Sequence, residues 1–150
     1  MTDFEREIVR CLNHFFKARH IQGFAYRPGK QNFTCQYVGV LADSSSPAYN
    51  LSIECKSIVD RKLYFSQHFR TDKNRVHHVD AISDFLAGTG RIGLLAVEFR
   101  QGPGKASEAY LIPWENVVGH FRNTNGITIE DARSCISLAY SNNGYVLEDF

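Results

Sequence analysis

The stretch Leu51-Ser52-Ile53-Glu54-Cys55-Lys56-Ser57-Ile58 decides the fold. Apolar and polar residues alternate along it, which is typical of a β-strand whose two faces meet different surroundings. Residues two apart on a strand project from the same face, roughly 7 Å apart along the chain. The strand therefore holds the Glu54 carboxylate beside the Lys56 ammonium and directs Cys55 into the opposite layer.

The rest of the chain predicts a mixed sheet with helices on its faces. Apolar residues at helical spacing predict helices at the start of the chain, where Thr2 and Glu5 have capping-box spacing, and at 76–86, 113–121 and 130–140. Strands are expected at 24–27, 33–41, 51–58, 92–99, 109–112 and 145–147. The segments 33–41 and 51–58 flank a serine-rich loop and predict a hairpin with a long connection. This order indicates an α/β fold with an αβββαβ core.

Length and composition predict one ordinary globular domain. The chain has 150 residues, of which 43% are hydrophobic and 22% are charged, and this excludes wholesale disorder. We expect a single domain over 1–150, with a core at about 4–117 and a C-terminal extension at 118–150. Scattered cysteines without a C-x-x-C pair exclude a zinc ribbon, and no apolar run approaches the roughly 20 residues of a membrane span. With no signal peptide in the sequence, these features predict an intracellular, cytoplasmic protein.

The Glu54-Cys55-Lys56 tripeptide carries the sharpest chemical signal. Glu54 can ligate a hard cation, and Lys56 can orient an attacking water or stabilise developing phosphate charge. An isolated E-x-K is most often a pair on the surface of a sheet, so its surroundings matter. Asp43 precedes it in the hairpin, and Glu5 lies at the edge of the inward face of the first helix, where it can also serve as a dipole-compensating acid. Converging carboxylates repel one another unless a divalent cation is bound, and oxygen ligands suit Mg²⁺ or Mn²⁺.

Two basic segments flank this tripeptide and indicate a nucleic-acid partner. Residues 17–42 contain four cations and no acidic residue, and residues 60–75 contain five cations against two acids. Such segments can form an anion-facing rim, although solvated loops are an equally ordinary explanation. The expected DNA-binding residues are Arg27, Lys30, Arg61, Lys62, Arg70, Lys73 and Arg75.

At this point the chain resembles a family, the archaeal Holliday-junction resolvases. The resemblance rests on the opening helix around Glu5-Arg6-Glu7-Ile8-Val9, the strand Phe24-Ala25-Tyr26-Arg27, the E-x-K strand, the helix Ile82-Ser83-Asp84-Phe85-Leu86 with the strand after it, and Leu111-Ile112-Pro113-Trp114-Glu115. The segment Gln36-Tyr37-Val38-Gly39-Val40 is also similar to the bacterial RecU-type resolvases. The resemblance covers residues 4–117. It implies the restriction-endonuclease-like fold of PD-(D/E)XK nucleases, a homodimer, and Mg²⁺-dependent cleavage of branched DNA.

Carried over residue by residue, the resemblance assigns a catalytic role to Glu5, Glu54 and Lys56. Two positions depart from the family. Its metal-binding aspartate falls on Gln36, and its helix glutamine falls on or near His78, with Gln67 as an alternative. An amide oxygen can ligate Mg²⁺ but brings no charge. The attraction between two unit charges 4 Å apart is worth about 4 kcal/mol at an effective dielectric near 20, before desolvation, and the amide does not supply it. Asp43, seven residues later at the far end of the strand, is the alternative ligand if the hairpin folds it back over the site.

The histidines and aromatic residues leave alternatives open. His78 shares a helical face with Ile82 and Phe85, which fits a core-edge histidine as well as a site residue. Aromatic side chains among the basic residues of 60–75 can stack unpaired bases, but a core role is the commoner one. They are Tyr64, Phe65 and Phe69.

Three functions therefore compete at the level of the sequence. The first is a metal-dependent, structure-specific DNA endonuclease that hydrolyses phosphodiester bonds. The second is a DNA-binding module of the same fold, inactive or weakened because Gln36 replaces the aspartate. The third is an α/β interaction protein without a nucleic-acid partner, which a salt-dependent DNA titration would distinguish from the other two.

Overall fold

The computed structural model describes residues 3–28, 38–141 and 144–150. Its helices are α1 (Asp3–Ala18), α2 (His78–Thr89), α3 (Trp114–Asn123) and α4 (Ile129–Arg133), with a 3-10 turn at Pro47–Tyr49. Its strands are β1 (Gly23–Tyr26), β2 (Val40–Ser44), β3 (Leu51–Ile58), β4 (Lys62–Tyr64), β5 (Ile92–Phe99), β6 (Glu108–Pro113), β7 (Gly126–Thr128), β8 (Ile136–Ser141) and β9 (Gly144–Val146).

Within the described ranges, one large mixed sheet has the strand order β1-β2-β3-β5-β6-β8-β9. Strand β3 lies inside the sheet, next to the central strand β5. It pairs antiparallel with β2, and it pairs parallel with β5 over its whole length. A parallel pair needs a crossover connection, and α2 supplies it. Strands β4 and β7 form a separate antiparallel ribbon.

The sheet separates two hydrophobic cores, as the alternation along β3 requires. Ile53 and Cys55 face α1 and pack with Ile8 and Leu12. Leu95 and Val97 of β5 face the other side and pack with Ile82 of α2. Burying one such aliphatic side chain contributes roughly 1.5–3 kcal/mol, so the alternation of β3 and β5 fixes which residues face which helix. The expected mixed sheet flanked by helices is confirmed.

A polar contact joins α1 to β1, and side-chain and glycine caps fix the ends of α2. The Asn13 side chain of α1 donates to the Ala25 carbonyl at 3.1 Å and accepts from the Ala25 N–H at 2.7 Å. The His77 ring caps the N-terminus of α2 by accepting from the Val79 N–H at 3.0 Å. Gly90 ends that helix in the left-handed region, with a φ of 72°, where glycine has no steric penalty.

The C-terminal third differs from the expectation. The predicted helix at 130–140 is wrong, because α4 ends at Arg133 and the chain continues as β8. Thr128 and Asp131 form a capping box that starts the short helix. Leu138 then pairs opposite Ala109 on β6 and is buried, so tertiary pairing outweighs the helical spacing. Residues 118–150 thus add two strands to the main sheet, and the short strands β4 and β7 were not expected.

The expected strand 33–41 falls outside the described residues as far as position 37, and its end belongs to β2. Across the described part of the chain, the search for membrane spans finds no helix with the length and apolar character to cross a bilayer.

Candidate active site

The second half of β3 carries the two central residues of the candidate site. Glu54 and Lys56 project from the face opposite Cys55, which packs in the core below α1. Glu54 is only 6% exposed, whereas Lys56 is half-buried. A carboxyl group at this depth needs hydrogen-bond partners, because a buried unpaired charge costs several kcal/mol.

Both oxygens of the Glu54 carboxyl group have partners. Oε1 accepts the N–H of Cys55 at 3.0 Å, and Oε2 lies 3.1 Å from Nε2 of His78. His78 is the first residue of α2 and is itself buried. Its own N–H donates to the Arg70 carbonyl at 2.8 Å, which fixes the start of the helix against the preceding loop.

Burial raises the pKa of Glu54 to about 7. The Lys56 ammonium, the Cys55 N–H and the Arg70 guanidinium act in the opposite direction, and the nearby Glu5 carboxylate adds to the increase. Desolvation is the largest of these effects, so the neutral form of this carboxyl group persists to near-neutral pH.

Lys56 is held by an aromatic ring. Its Nζ atom lies 4.8 Å from the centroid of Phe69, within the range of a cation–π contact. Phe69 is buried and packs edge-on against the His78 ring, at 6.0 Å between centroids. The ammonium is therefore positioned by the same small cluster that positions Glu54.

Glu5 of α1 reaches the site past Gly39. A methyl group on Gly39 would lie 2.5 Å from Oε2 of Glu5, so the missing side chain leaves the space that the carboxylate occupies. Val40 pairs with Ile53 at this end of the antiparallel β2–β3 pairing. Continuing the same register by one residue places Gly39 opposite Glu54. The other Glu5 oxygen lies 3.8 Å from the Arg27 guanidinium.

Asp43 lies elsewhere. Asp43 comes directly after Ala42 on β2, and Ala42 pairs with Leu51 of β3. Leu51 lies three residues before Glu54, so Asp43 is near the opposite end of this strand pair. Its carboxylate accepts from Arg91 at 2.7 Å and from the Tyr26 hydroxyl at 2.8 Å. The geometry gives Asp43 a place in a polar cluster at the other end of β2 and does not bring it to Glu54.

The expected DNA-binding residues surround the site unevenly. Arg27 approaches Glu5, and the Arg70 charge acts on Glu54. Lys73 and Arg75 are exposed on the loop before α2. Arg61 pairs with Glu130 at 3.2 Å, and Lys62 lies over the Tyr64 ring. Gln36 and Lys30 lie outside the described residues.

A divalent cation fits the donor chemistry of the site, although the described residues do not form a complete cage. No group of three or more His, Cys, Asp or Glu side chains is arranged around a common point in the described ranges. Mg²⁺ commonly keeps several waters and takes only one or two protein carboxylates together with substrate phosphates. Glu54 and Glu5 meet that requirement.

Sequence reasoning missed Gly39 as a site position. The signal was present, since an isolated glycine in a strand pattern often marks a close approach by another group. His78 was expected as a site residue or as a core-edge histidine, and the structure gives it both a buried position and a contact with Glu54.

Comparison with known proteins identifies a similar fold. No family model matches the sequence, and no curated protein matches it. The structure is similar to that of Hjc, a Holliday junction resolvase from the archaeal hyperthermophile Archaeoglobus fulgidus. The TM-score is 0.56 at 19% identity, over 89% of this chain and 91% of that chain. The chain therefore has a resolvase-like nuclease fold.

Proposed function

We propose that this protein is a divalent-metal-dependent, structure-specific DNA endonuclease that acts on branched DNA, in the manner of a Holliday junction resolvase. The observation that carries the proposal is the grouping of Glu54, Lys56, His78 and Glu5 at β3. The similarity to a resolvase structure supports the substrate class, and the basic residues around the site support a phosphate-rich partner.

Glu54 and Glu5 are the proposed metal-binding residues, with Gln36 as a further oxygen donor. A bound Mg²⁺ or Mn²⁺ ion would supply Lewis-acid activation of a phosphodiester and of its attacking water. A carboxylate binds such an ion in its ionised form. The contacts that favour ionisation of Glu54 are those with Lys56 and the Cys55 N–H.

Lys56 and His78 have different roles in this proposal. The Lys56 ammonium orients the attacking water or stabilises charge that develops on phosphate oxygens. His78 is a positioning residue, because its Nε2 atom fixes the Glu54 carboxyl group from the N-terminus of α2.

The surface that binds DNA is proposed to consist of the expected basic residues. They are Arg27, Lys30, Arg61, Lys62, Arg70, Lys73 and Arg75. A four-way junction presents two related cleavage positions, which a homodimer would match by its two-fold symmetry. Sedimentation of the free protein tests the dimer.

Cleavage of a fluorescent four-way junction tests the function. We expect the wild-type protein to cut in Mg²⁺ or Mn²⁺ and not in EDTA, and Glu54→Gln to bind the junction without cutting it. Cleavage by Glu54→Gln at the wild-type rate would contradict the role of Glu54, and a wild-type protein that does not cut with either metal would contradict the nuclease assignment.

A DNA-binding module without cleavage is the second candidate. It is favoured by the neutral amide at Gln36 and by the raised pKa of Glu54, which both weaken binding of a cation. In the same assay, this candidate predicts junction binding by the wild-type protein and no cleavage with either metal.

A further inference from the structure

A groove of about 360 Å³ lies beside the candidate active site, between the loop that precedes α2 and the end of α3. Its aromatic side chains are Phe65, His77 and Phe121, and its polar rim includes Ser66, Thr71 and Asn125. None of these residues belongs to the proposed catalytic or phosphate-binding set. We propose that this groove binds an unpaired nucleobase of the DNA substrate; the inference rests on the proposed function and names a feature of its substrate.

The aromatic wall is partly accessible, and its rings contact one another. The centroids of the His77 and Phe121 rings are 4.6 Å apart, and Phe65 meets Phe121 edge-on at 5.2 Å. The His77 ring is held at both nitrogens: Nδ1 accepts from the Val79 N–H, so Nε2 carries the proton that it donates to the Phe65 carbonyl at 2.9 Å. Two aromatic rings held side by side offer a surface on which a base can stack.

The rim offers groups that can bond to the edge of a base. Asn125 is exposed, and within the described part of the chain its side-chain amide has no hydrogen-bond partner. A side-chain amide presents one acceptor and two donors, which is the complement of a base edge. Ser66 and Thr71 add two exposed hydroxyl groups.

The charge around the groove suits a nucleic-acid strand. Arg70 precedes Thr71 in the loop before α2, Lys73 follows two residues after it, and both cations are exposed. The intervening Asp72 carboxylate accepts from the N–H groups of Asn74 and Val76 in the same loop. The Lys62 side chain lies against Gly126, next to Asn125, since its Cε atom would be 3.0 Å from a methyl group there. These cations can contact phosphates on either side of a base that sits in the groove.

The buried Phe69 ring lies between the wall of the groove and the candidate active site. The Phe69 ring lies 5.9 Å from the His77 ring, and the Lys56 Nζ atom lies 4.8 Å from the Phe69 centroid. A strand with one phosphate near Lys56 can therefore direct a neighbouring base into the groove. Bases in a continuous duplex are paired and stacked, so the groove selects DNA with unpaired nucleotides next to the branch point.

Fluorescence anisotropy in EDTA tests this proposal without any cleavage. The probes are a fluorescein-labelled fork with single-stranded arms and a blunt duplex of the same paired length. We expect Phe121→Leu to weaken binding of the fork by about tenfold, and to leave binding of the blunt duplex nearly unchanged. Phe121→Tyr keeps the ring and is expected to retain the wild-type affinity.

Two further variants complete the experiment. Tyr140→Leu removes an exposed aromatic ring on β8 and serves as the control. Asn125→Ala changes an exposed residue and carries the test if Phe121→Leu does not fold, with a lower affinity for the fork as the expected result. Equal losses on fork and duplex, or an unchanged affinity for the fork, overturn the proposal. Because no metal is present, this outcome is independent of whether the protein cuts DNA.

Discussion

The Nε2 atom of His78 lies 3.1 Å from Oε2 of Glu54, and both side chains are almost fully buried. One of the two atoms must carry the proton that joins them. The pair links β3 to the N-terminus of α2, so the protonation of one carboxyl group is coupled to the packing of a helix. The behaviour of Glu54 with pH is therefore measurable in the stability of the whole domain.

The free energy of unfolding is expected to decrease between pH 4.5 and 7 because of Glu54. Its pKa is raised from 4.5 to about 7 in the folded protein, so the folded state holds the proton more tightly than the unfolded state. The stability from this group is fully present below pH 4.5 and is lost as the pH rises through 7. The shift corresponds to about 3 kcal/mol. Urea unfolding across this range measures it.

Glu54→Gln should remove most of that decrease, since glutamine does not titrate. Glu108 provides a control of opposite sign, because hydrogen bonds from Arg133 and Tyr110 lower its pKa to about 2. Glu108→Gln should lower the stability above pH 4.5, where the ionised carboxylate contributes, and the difference from the wild-type protein should disappear as the pH falls from 4.5 to about 2. An unchanged slope in Glu54→Gln would mean that Glu54 is ionised throughout this range.

Lys56→Ala is expected to lower the rate of junction cleavage by at least about 10²-fold, the low end for general acid–base assistance. The affinity for DNA should change little, because the ammonium is one positive charge among several at the site. Lys17→Ala, which changes an exposed lysine at the end of α1, is the matched control. Single-turnover cleavage in saturating Mg²⁺ separates the chemical step from binding. A rate that drops equally in both variants would contradict a specific role for Lys56.

The sequence predicted the centre of the fold well and its edges poorly. Strict alternation over 51–58 and the apolar run of 92–99 are local patterns, and they fix β3 and β5 and the faces of their side chains. The helix expected at 130–140 depended on the same kind of pattern, but the partner strand β6 decided the outcome. The segment 130–140 does not contain its partner strand β6, so the local pattern could not indicate this pairing.

In the candidate site, too, the sequence predicted the local features and missed the contacts between residues that are far apart in the chain. Glu54 and Lys56 were predictable because one strand holds both. The contact of Asp43 with Arg91 joins positions 48 residues apart, and nothing local to either residue indicates it. The space that Gly39 leaves for Glu5 likewise depends on how α1 lies against β2. Long-range pairing of charged groups was the part that the sequence could not supply.

Removal of Arg70 or Arg27 should weaken DNA binding equally for all sequences. Each lost phosphate contact should reduce the slope of log affinity against log salt concentration by about 0.9 on duplex DNA. Arg19→Ala is the control, because Arg19 lies at the far end of α1 beside Asp149. Anisotropy titrations at salt concentrations between about 50 and 200 mM measure this slope. Slopes that do not differ from the control would place the DNA elsewhere on the protein.

Asp43→Ala is expected to lower stability and leave the Mg²⁺ dependence of cleavage unchanged. Arg91 joins β2 to β3 by donating to the carbonyls of Ala42 and Leu51 as well as to Asp43. Loss of this half-exposed ion pair should cost about 1 kcal/mol. Gln36→Asp should have the opposite profile, with tighter Mg²⁺ binding, because it adds a hard anionic ligand. A Mg²⁺ titration of both variants checks this pair of expectations, and a reversed pattern would make Asp43 the ligand.

Gly39→Ala gives the sharpest test of the site, because it moves Glu5 without changing it. The new methyl group would lie 2.5 Å from Oε2 of Glu5, so the carboxylate has to move away. The atom displaced is the end of a flexible side chain, and the domain should therefore unfold at nearly the wild-type temperature. If Glu5 holds the cation together with Glu54, this single methyl group should raise the Mg²⁺ concentration needed for half-maximal cleavage, as Glu5→Gln also should.

The double variant should be no worse than Glu5→Gln alone, since both changes remove the same ligand. Additive losses in the double variant would show that the Gly39 methyl group acts by a route other than Glu5, and an unchanged Mg²⁺ requirement in Glu5→Gln would show that Glu5 is not a ligand.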